Sequence, residues 1–159
     1  MTLEARWNIN SYTLSLSSNN TKAGTISNNG GSHNYNESIT IISTTNPGYT
    51  FKGWYDGDNE ISTSPSYTFN MPASNLSYIA KWTANTNTTY KVEHYLQNLD
   101  DDNYPNTPYE TDNLTGTTDT LTNGSVKTYE GFTSPSTITQ KVAKDRDLAI
   151  GLFLYIDII

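Results

Sequence analysis

Apolar and polar residues alternate along this chain with a period of two, and no useful stretch repeats at the helical spacing. Tyr12, Leu14 and Leu16 alternate with Thr13, Ser15 and Ser17, the pattern of a strand with one buried face. A short strand follows at Gly24–Ser27, then a turn at Asn28–Gly31, where Asn and Gly tolerate positive φ. Ser38–Ser43 is β-branched with isoleucine on both faces, which predicts a central strand. Asn46-Pro47-Gly48 turns the chain into a strand at Tyr49–Tyr55, and Asp56–Asn59 is a hairpin signal. Tyr67–Met71 is the next strand, broken by Pro72. Leu76–Trp82 closes the unit with Leu76, Tyr78, Ala80 and Trp82 on one face.

The polar run Thr83–Thr89 predicts a linker. Beyond it Tyr90, Val92, His94 and Leu96 alternate with Lys91, Glu93, Tyr95 and Gln97. Asp100–Pro108 is an acidic loop, and weaker strands are expected at Thr111–Thr117, Lys127–Thr133 and Thr137–Val142. A turn at Asp145–Asp147 leads to Leu148–Ile156, apolar on both faces, as befits the middle of a covered sheet. The fold class is therefore mainly β: two small tandem β domains, the first all-β and the second with a central final strand.

The chain also repeats itself. MTLEARW at Met1–Trp7 matches LSYIAKW at Leu76–Trp82, with Leu3, Ala5, Arg6 and Trp7 answering to Tyr78, Ala80, Lys81 and Trp82. Residues 1–7 thus read as the closing strand of a preceding repeat, 8–82 as a complete repeat, 83–89 as a linker and 90–159 as a second β domain. An orphan closing strand has three fates: docking on a sheet edge, pairing with another chain, or fraying. Units of roughly 70–75 residues have thin cores, to which a neighbouring unit adds stability. A side-chain amide between a Lys and one of the abundant Asn residues is a further chemical route to stability.

Composition narrows the function. Apolar residues make up only 34% and mean hydropathy is −0.62, yet aromatic residues reach 12%, too many for a disordered chain. Nine basic and sixteen acidic residues give a net charge of −7 without a basic cluster, which argues against nucleic acid and anionic membranes as partners. With no cysteine, disulfides and thiolate chemistry are excluded. No secretory leader opens the sequence, as expected of a segment from inside a longer protein. The apolar run Leu148–Ile159 is too short to span a bilayer.

Candidate chemistry is sparse. Asn98, Asp100 and Asp102 place side-chain oxygens at alternate positions, as calcium prefers, but Asn103 stands where a calcium loop needs glycine and Tyr109 where it needs a carboxylate. A solvated acidic loop is the simpler reading. Asp56, Asp58 and Glu60 cluster too, within a hairpin that accounts for them. His33 reads as an exposed loop residue and His94 as a half-buried, hydrogen-bonded imidazole. No zinc pair, phosphate loop, nucleophile elbow or dinucleotide fingerprint is present, so neither catalytic residues nor a cofactor are expected. Trp54, Tyr55 and Tyr95 are the candidate ligand contacts, because aromatic rings give rigid area for sugars and protein hot spots. Trp54 alternates to the face opposite Tyr49 and Phe51, so it either meets a ligand or packs between neighbouring units.

Several of these residues carry a family resemblance. GYTFKGWYDG (Gly48–Gly57), YTFNMPASN (Tyr67–Asn75) and IAKW (Ile79–Trp82) make residues 8–82 similar to a divergent Listeria–Bacteroides repeat, also called the internalin B-repeat. That resemblance implies tandem copies in a secreted or wall-attached bacterial protein. YKVEHY (Tyr90–Tyr95), LTGTTDT (Leu114–Thr120), YEGFT (Tyr129–Thr133) and LFLYID (Leu152–Asp157) make 90–157 resemble mucin-binding-protein-like modules, which implies a β-grasp-like sheet, though its usual helix is not evident. Together they imply a non-enzymatic extracellular segment of a bacterial surface protein, a repeat spacer or stalk in adhesion whose partners are neighbouring repeats. The alternative is a binding module for host glycoprotein or cell-wall glycan.

Overall fold

The structure, a computed structural model, describes residues 2–124, 126–136, 139–142 and 151–158 of the chain. Among them are fourteen β-strands and no helix. The fold is mainly β, as the alternation requires. The chain divides into two compact units, Met1–Asn46 with Thr50–Thr83, and Pro47–Tyr49 with Ala84–Ile159.

In the first unit the strands are β1 (Ser11–Ser18), β2 (Gly24–Ile26), β3 (Gly31–Asn34), β4 (Ser38–Thr45), β5 (Tyr49–Asp56), β6 (Asn59–Ser62), β7 (Ser66–Asn70) and β8 (Leu76–Ala84). One sheet has the order β3-β1-β8-β5-β6 and a second the order β2-β4-β7. Strand β1 runs antiparallel to β3 and parallel to β8, with Leu14 opposite Leu76. Strand β4 is central in its sheet, as its isoleucines predict, and buries Ile39 and Ile41 while Ile42 stays exposed. The closing strand buries Tyr78, Ala80 and Trp82 on one face, as the alternation requires. Trp82 is fixed further by an indole hydrogen bond to Thr45 Oγ1 at 2.9 Å and an edge contact with Phe51.

Three local expectations are corrected. The turn expected at Asn28–Gly31 gives way at Gly31 to strand β3, because the chain can pair with β1 there. His33 is consequently a strand residue, not a loop one. Residues 83–89 are not all linker: β8 runs to Ala84, and the next strand starts at Thr88, where Thr88 and Thr89 pair with Gly116 and Thr115. β-branched threonine suits a pleated strand once a partner is present. Residues 2–10 form no strand, and Leu3 and Trp7 are 86% and 90% exposed. A strand needs a neighbour for its backbone donors and acceptors, and residues 2–10 enter no strand pairing among the described residues.

The second unit comprises β9 (Thr88–Leu96), β10 (Glu110–Gly116), β11 (Leu121–Asn123), β12 (Phe132–Thr133), β13 (Thr139–Lys141) and β14 (Gly151–Ile158). The sheet order is β10-β9-β14-β12, beside a β11-β13 pair. The final strand is internal, as expected, parallel to β9 and antiparallel to β12. The Lys127–Thr133 strand shrinks to two residues, and β11 was not signalled by any alternation. The turn expected at Asp145–Asp147 and the start of the final strand at Leu148–Ile150 lie outside the described residues. Val92 is buried at the centre, with Tyr90, Leu114 and Val126 packed against it.

The two units share one plan. In each, the first strand (β1 or β9) pairs antiparallel with the next strand of its sheet (β3 or β10) and parallel with the last (β8 or β14).

Candidate functional site

Of the three aromatic side chains expected to meet a ligand, Trp54 is fully buried. Gly53 has φ +144, and the register of β5 against β6 shifts between Trp54 and Tyr55. This bulge breaks the alternation, so Gly53 and Trp54 are buried in succession. Trp54 therefore lies in the core, edge-on to Phe51 at 6.0 Å. Its indole N–H reaches the Pro65 carbonyl at 3.4 Å. Tyr55 is half-buried: its hydroxyl donates to Glu60 at 2.9 Å, and the Lys81 ammonium lies 4.2 Å above its ring. That hydrogen bond raises the phenol's pKa. Tyr95 is buried and donates to Glu93 at 3.0 Å. Trp54 and Tyr55 belong to the first unit and Tyr95 to the second.

The acidic loop is organised by its own residues. Asp101, not one of the expected ligands, accepts from Asn98 Nδ2 at 2.9 Å and from the Asn103 N–H at 2.8 Å. Asn98 spends only its Nδ2 on that bond, and Asp100 and Asp102 are exposed. These bonds hold the Asp101 carboxyl below its ordinary pKa. Among the described residues no three acidic or histidine side chains gather as a metal site would require. The loop is a hydrogen-bonded turn.

Two polar clusters remain. In the first unit His33 Nδ1 is 2.8 Å from Glu37 and Nε2 is 3.0 Å from the Asn29 carbonyl, while Glu37 also accepts the Asn34 N–H at 2.9 Å. The carboxylate raises the imidazole pKa, and the imidazole lowers that of the carboxyl. An open cavity of about 330 Å³ lies beside them, lined by Asn28, Asn29 and Thr40 among others. In the second unit Lys127 Nζ lies 2.7 Å from both Glu110 and Asp112. Asp112 also meets Nε2 of the fully buried His94 at 3.1 Å, and the Tyr129 hydroxyl donates to Glu110 at 2.8 Å. His94 Nδ1 is buried with no partner among the described residues.

Lys127 lowers the pKa of both carboxyls, and they in turn raise its own. Partial burial and the Glu110 bond push the Tyr129 phenol up to about 12. Ion pairs and hydrogen bonds thus join Lys127, Glu110, Asp112, His94 and Tyr129 into one network. Lys127 and Lys81 meet carboxylates and a backbone carbonyl, not the Asn carboxamide that a side-chain amide would need. The alternation that located β9 placed His94 on its inner face, but nothing in the pattern linked it to Asp112 or Lys127.

No curated protein matches the chain. The family-model match ends at residue 86, and no comparison supports the expected likeness of 90–157 to mucin-binding-protein-like modules. Residues 14–86 match the family model of the divergent InlB B-repeat domain, a likeness to the repeats of bacterial surface proteins that covers under half of the chain.

Proposed function

We propose that the chain is a non-enzymatic, extracellular segment of a bacterial surface protein, in which serial β units act as a spacer or stalk that supports adhesion by other parts of the molecule. The observation that carries this reading is one sheet plan used twice in succession, with the first and last strands of each unit side by side and parallel. A serial array gains length from repetition, and its units need only a stable core. The burial of Trp54 and Tyr95 favours the same reading, since aromatic area spent on the core is withdrawn from recognition. The partners are the neighbouring repeats of the same polypeptide.

The test is a glycan array together with a mucin titration of the whole chain, followed by intrinsic tryptophan fluorescence. A spacer gives no saturable signal. Saturable binding to a host glycoprotein or a wall polysaccharide, with far-ultraviolet dichroism unchanged, overturns the spacer role.

A further inference from the structure

The two units close the same backbone corner, bond for bond. In the first, Asn36 has φ 64, its N–H donates to the Met71 carbonyl at 2.8 Å, and the Met71 N–H returns to the Glu37 carbonyl at 2.9 Å. Glu37 N–H donates to Asn34 at 3.0 Å, and Tyr35 N–H donates to the Asn10 carbonyl at 2.8 Å. In the second, Asp119 has φ 63, its N–H donates to Val142 at 3.0 Å, and Val142 N–H returns to Thr120 at 3.0 Å. Thr120 N–H donates to Thr117 at 3.1 Å, and Thr118 N–H donates to the Asn85 carbonyl at 2.9 Å. The sequence repeat that equates Trp7 with Trp82 equates Asn10 with Asn85 as well.

The corners differ in one respect. In the second unit a Pro-Gly-Tyr turn, Pro47–Tyr49, belongs to the corner. The Gly48 carbonyl accepts from Asn85 N–H at 2.8 Å, and the Tyr49 hydroxyl donates to the Asp119 carboxylate. Thr118 is 1% exposed there. In the first unit the matching Tyr35 is 51% exposed, and Asn10 N–H has no partner among the described residues. A cavity of about 320 Å³ opens at this place, lined by Asn8, Ile9, Asn10, Tyr12, Tyr35 and Ala73. Ile9, on its wall, is exposed as well.

We infer that the Asn10–Tyr35–Asn36 corner is a docking surface for the Pro-Gly-Tyr turn of a preceding copy of the repeat. The glycine carbonyl of that turn accepts the Asn10 N–H, and its tyrosine hydroxyl meets the Asn36 carboxamide. Asn36 Oδ1 already accepts from Asn70 at 3.1 Å but keeps a second lone pair. The occupant is identified by the chain itself: residues 3–7 repeat the closing strand of such a copy, and the second unit holds the same turn at its matching corner. The inference rests on the repeat reading above, and adds that successive repeats are joined rigidly, not loosely strung.

The test duplicates residues 8–82, joining Trp82 of the added copy to Asn8 of the full chain in place of residues 1–7. Amide exchange of the downstream Asn10 and ¹⁵N relaxation of both copies are compared with the parent chain. Docking slows Asn10 exchange at least about tenfold, toward the rate of Asn85, and makes the copies tumble together. Tyr49→Phe in the added copy alone then restores part of the exchange. If Asn10 exchanges as in the parent while the Leu14 amides of both copies stay protected, the inference fails. A duplicated chain that does not fold also counts against it, because a corner built to receive this turn must accommodate the junction. Either failure leaves the spacer role, read by glycan binding, standing as a flexible tether.

Discussion

Trp82 packs its indole directly against Gly24. A Cβ on Gly24 would lie 2.8 Å from Cζ2 and 2.9 Å from Cε2 of the ring, and closer still to the Thr44 carbonyl oxygen. Neither the buried ring nor the β4 backbone can retreat. Gly24→Ala is therefore expected to destabilise the first unit by about 1–3 kcal/mol, the usual range for overpacking. Urea denaturation followed by tryptophan emission measures the loss. A variant as stable as the parent would mean that the Trp82 indole does not pack against Gly24 in solution.

Trp54 gives the second prediction. Its full burial beside Phe51 makes Trp54→Ala a large cavity, with an expected cost of about 3–5 kcal/mol. Gly53→Ala attacks the same bulge from the backbone, since its φ of +144 disfavours a side chain and the new Cβ would sit 2.7 Å from the Ser62 carbonyl oxygen. Quenching separates the tryptophans: Trp7→Phe removes the acrylamide-accessible emission, and Trp54→Phe leaves it in place.

What the sequence made legible follows from what alternation can carry. Period-two patterning located β1, β4, β7, β8 and β9, and the Asp-Gly signal located the β5–β6 hairpin, where Gly57 takes φ 58. It could not locate β3, whose GSHN has no apolar residue and becomes a strand only by pairing with β1. It misplaced Trp54, because a bulge changes the facing of every later residue without altering the local pattern. The polar clusters were illegible for another reason. His94, Asp112 and Lys127 come from separate segments, and only the antiparallel register of β9 with β10, setting Asp112 opposite Val92, brings the first two together.

The His33–Glu37 pair predicts a pH response near neutrality. The imidazole titrates above its ordinary 6.5, so the stability it contributes is fully present below that value and is lost as pH rises through the higher folded pKa. On the acid side Glu37 titrates below its ordinary value, and its contribution falls away only as pH drops through that lower point. Thermal midpoints of the parent, compared with His33→Gln, should diverge most between these limits and converge above neutrality. Proton NMR of the His33 ring checks the direction independently.

The network around Lys127 predicts acid sensitivity in the second unit. Asp112 and Glu110 both titrate below their ordinary values, first because of the Lys127 hydrogen bonds, then because of His94 for Asp112 and Tyr129 for Glu110. Depressed carboxyl pKa values mean that stability is complete above the unfolded values and declines as pH falls through the folded ones. Lys127 itself is raised, so its own contribution persists until strongly alkaline pH and does not affect the acid window. In Lys127→Met the two carboxylates lose their shared counter-ion and repel one another, so the variant is less stable than the parent at pH 7. It also loses less on acidification, because protonation now relieves repulsion instead of breaking a bond. Asp112→Asn separates the ion pair from the His94 contact, since the carboxamide oxygen can still accept from the ring. Thermal melts from pH 7 to pH 3 therefore converge for parent and Lys127→Met as pH falls. Parallel curves across that range would show that the 2.7 Å contacts contribute nothing to stability in solution.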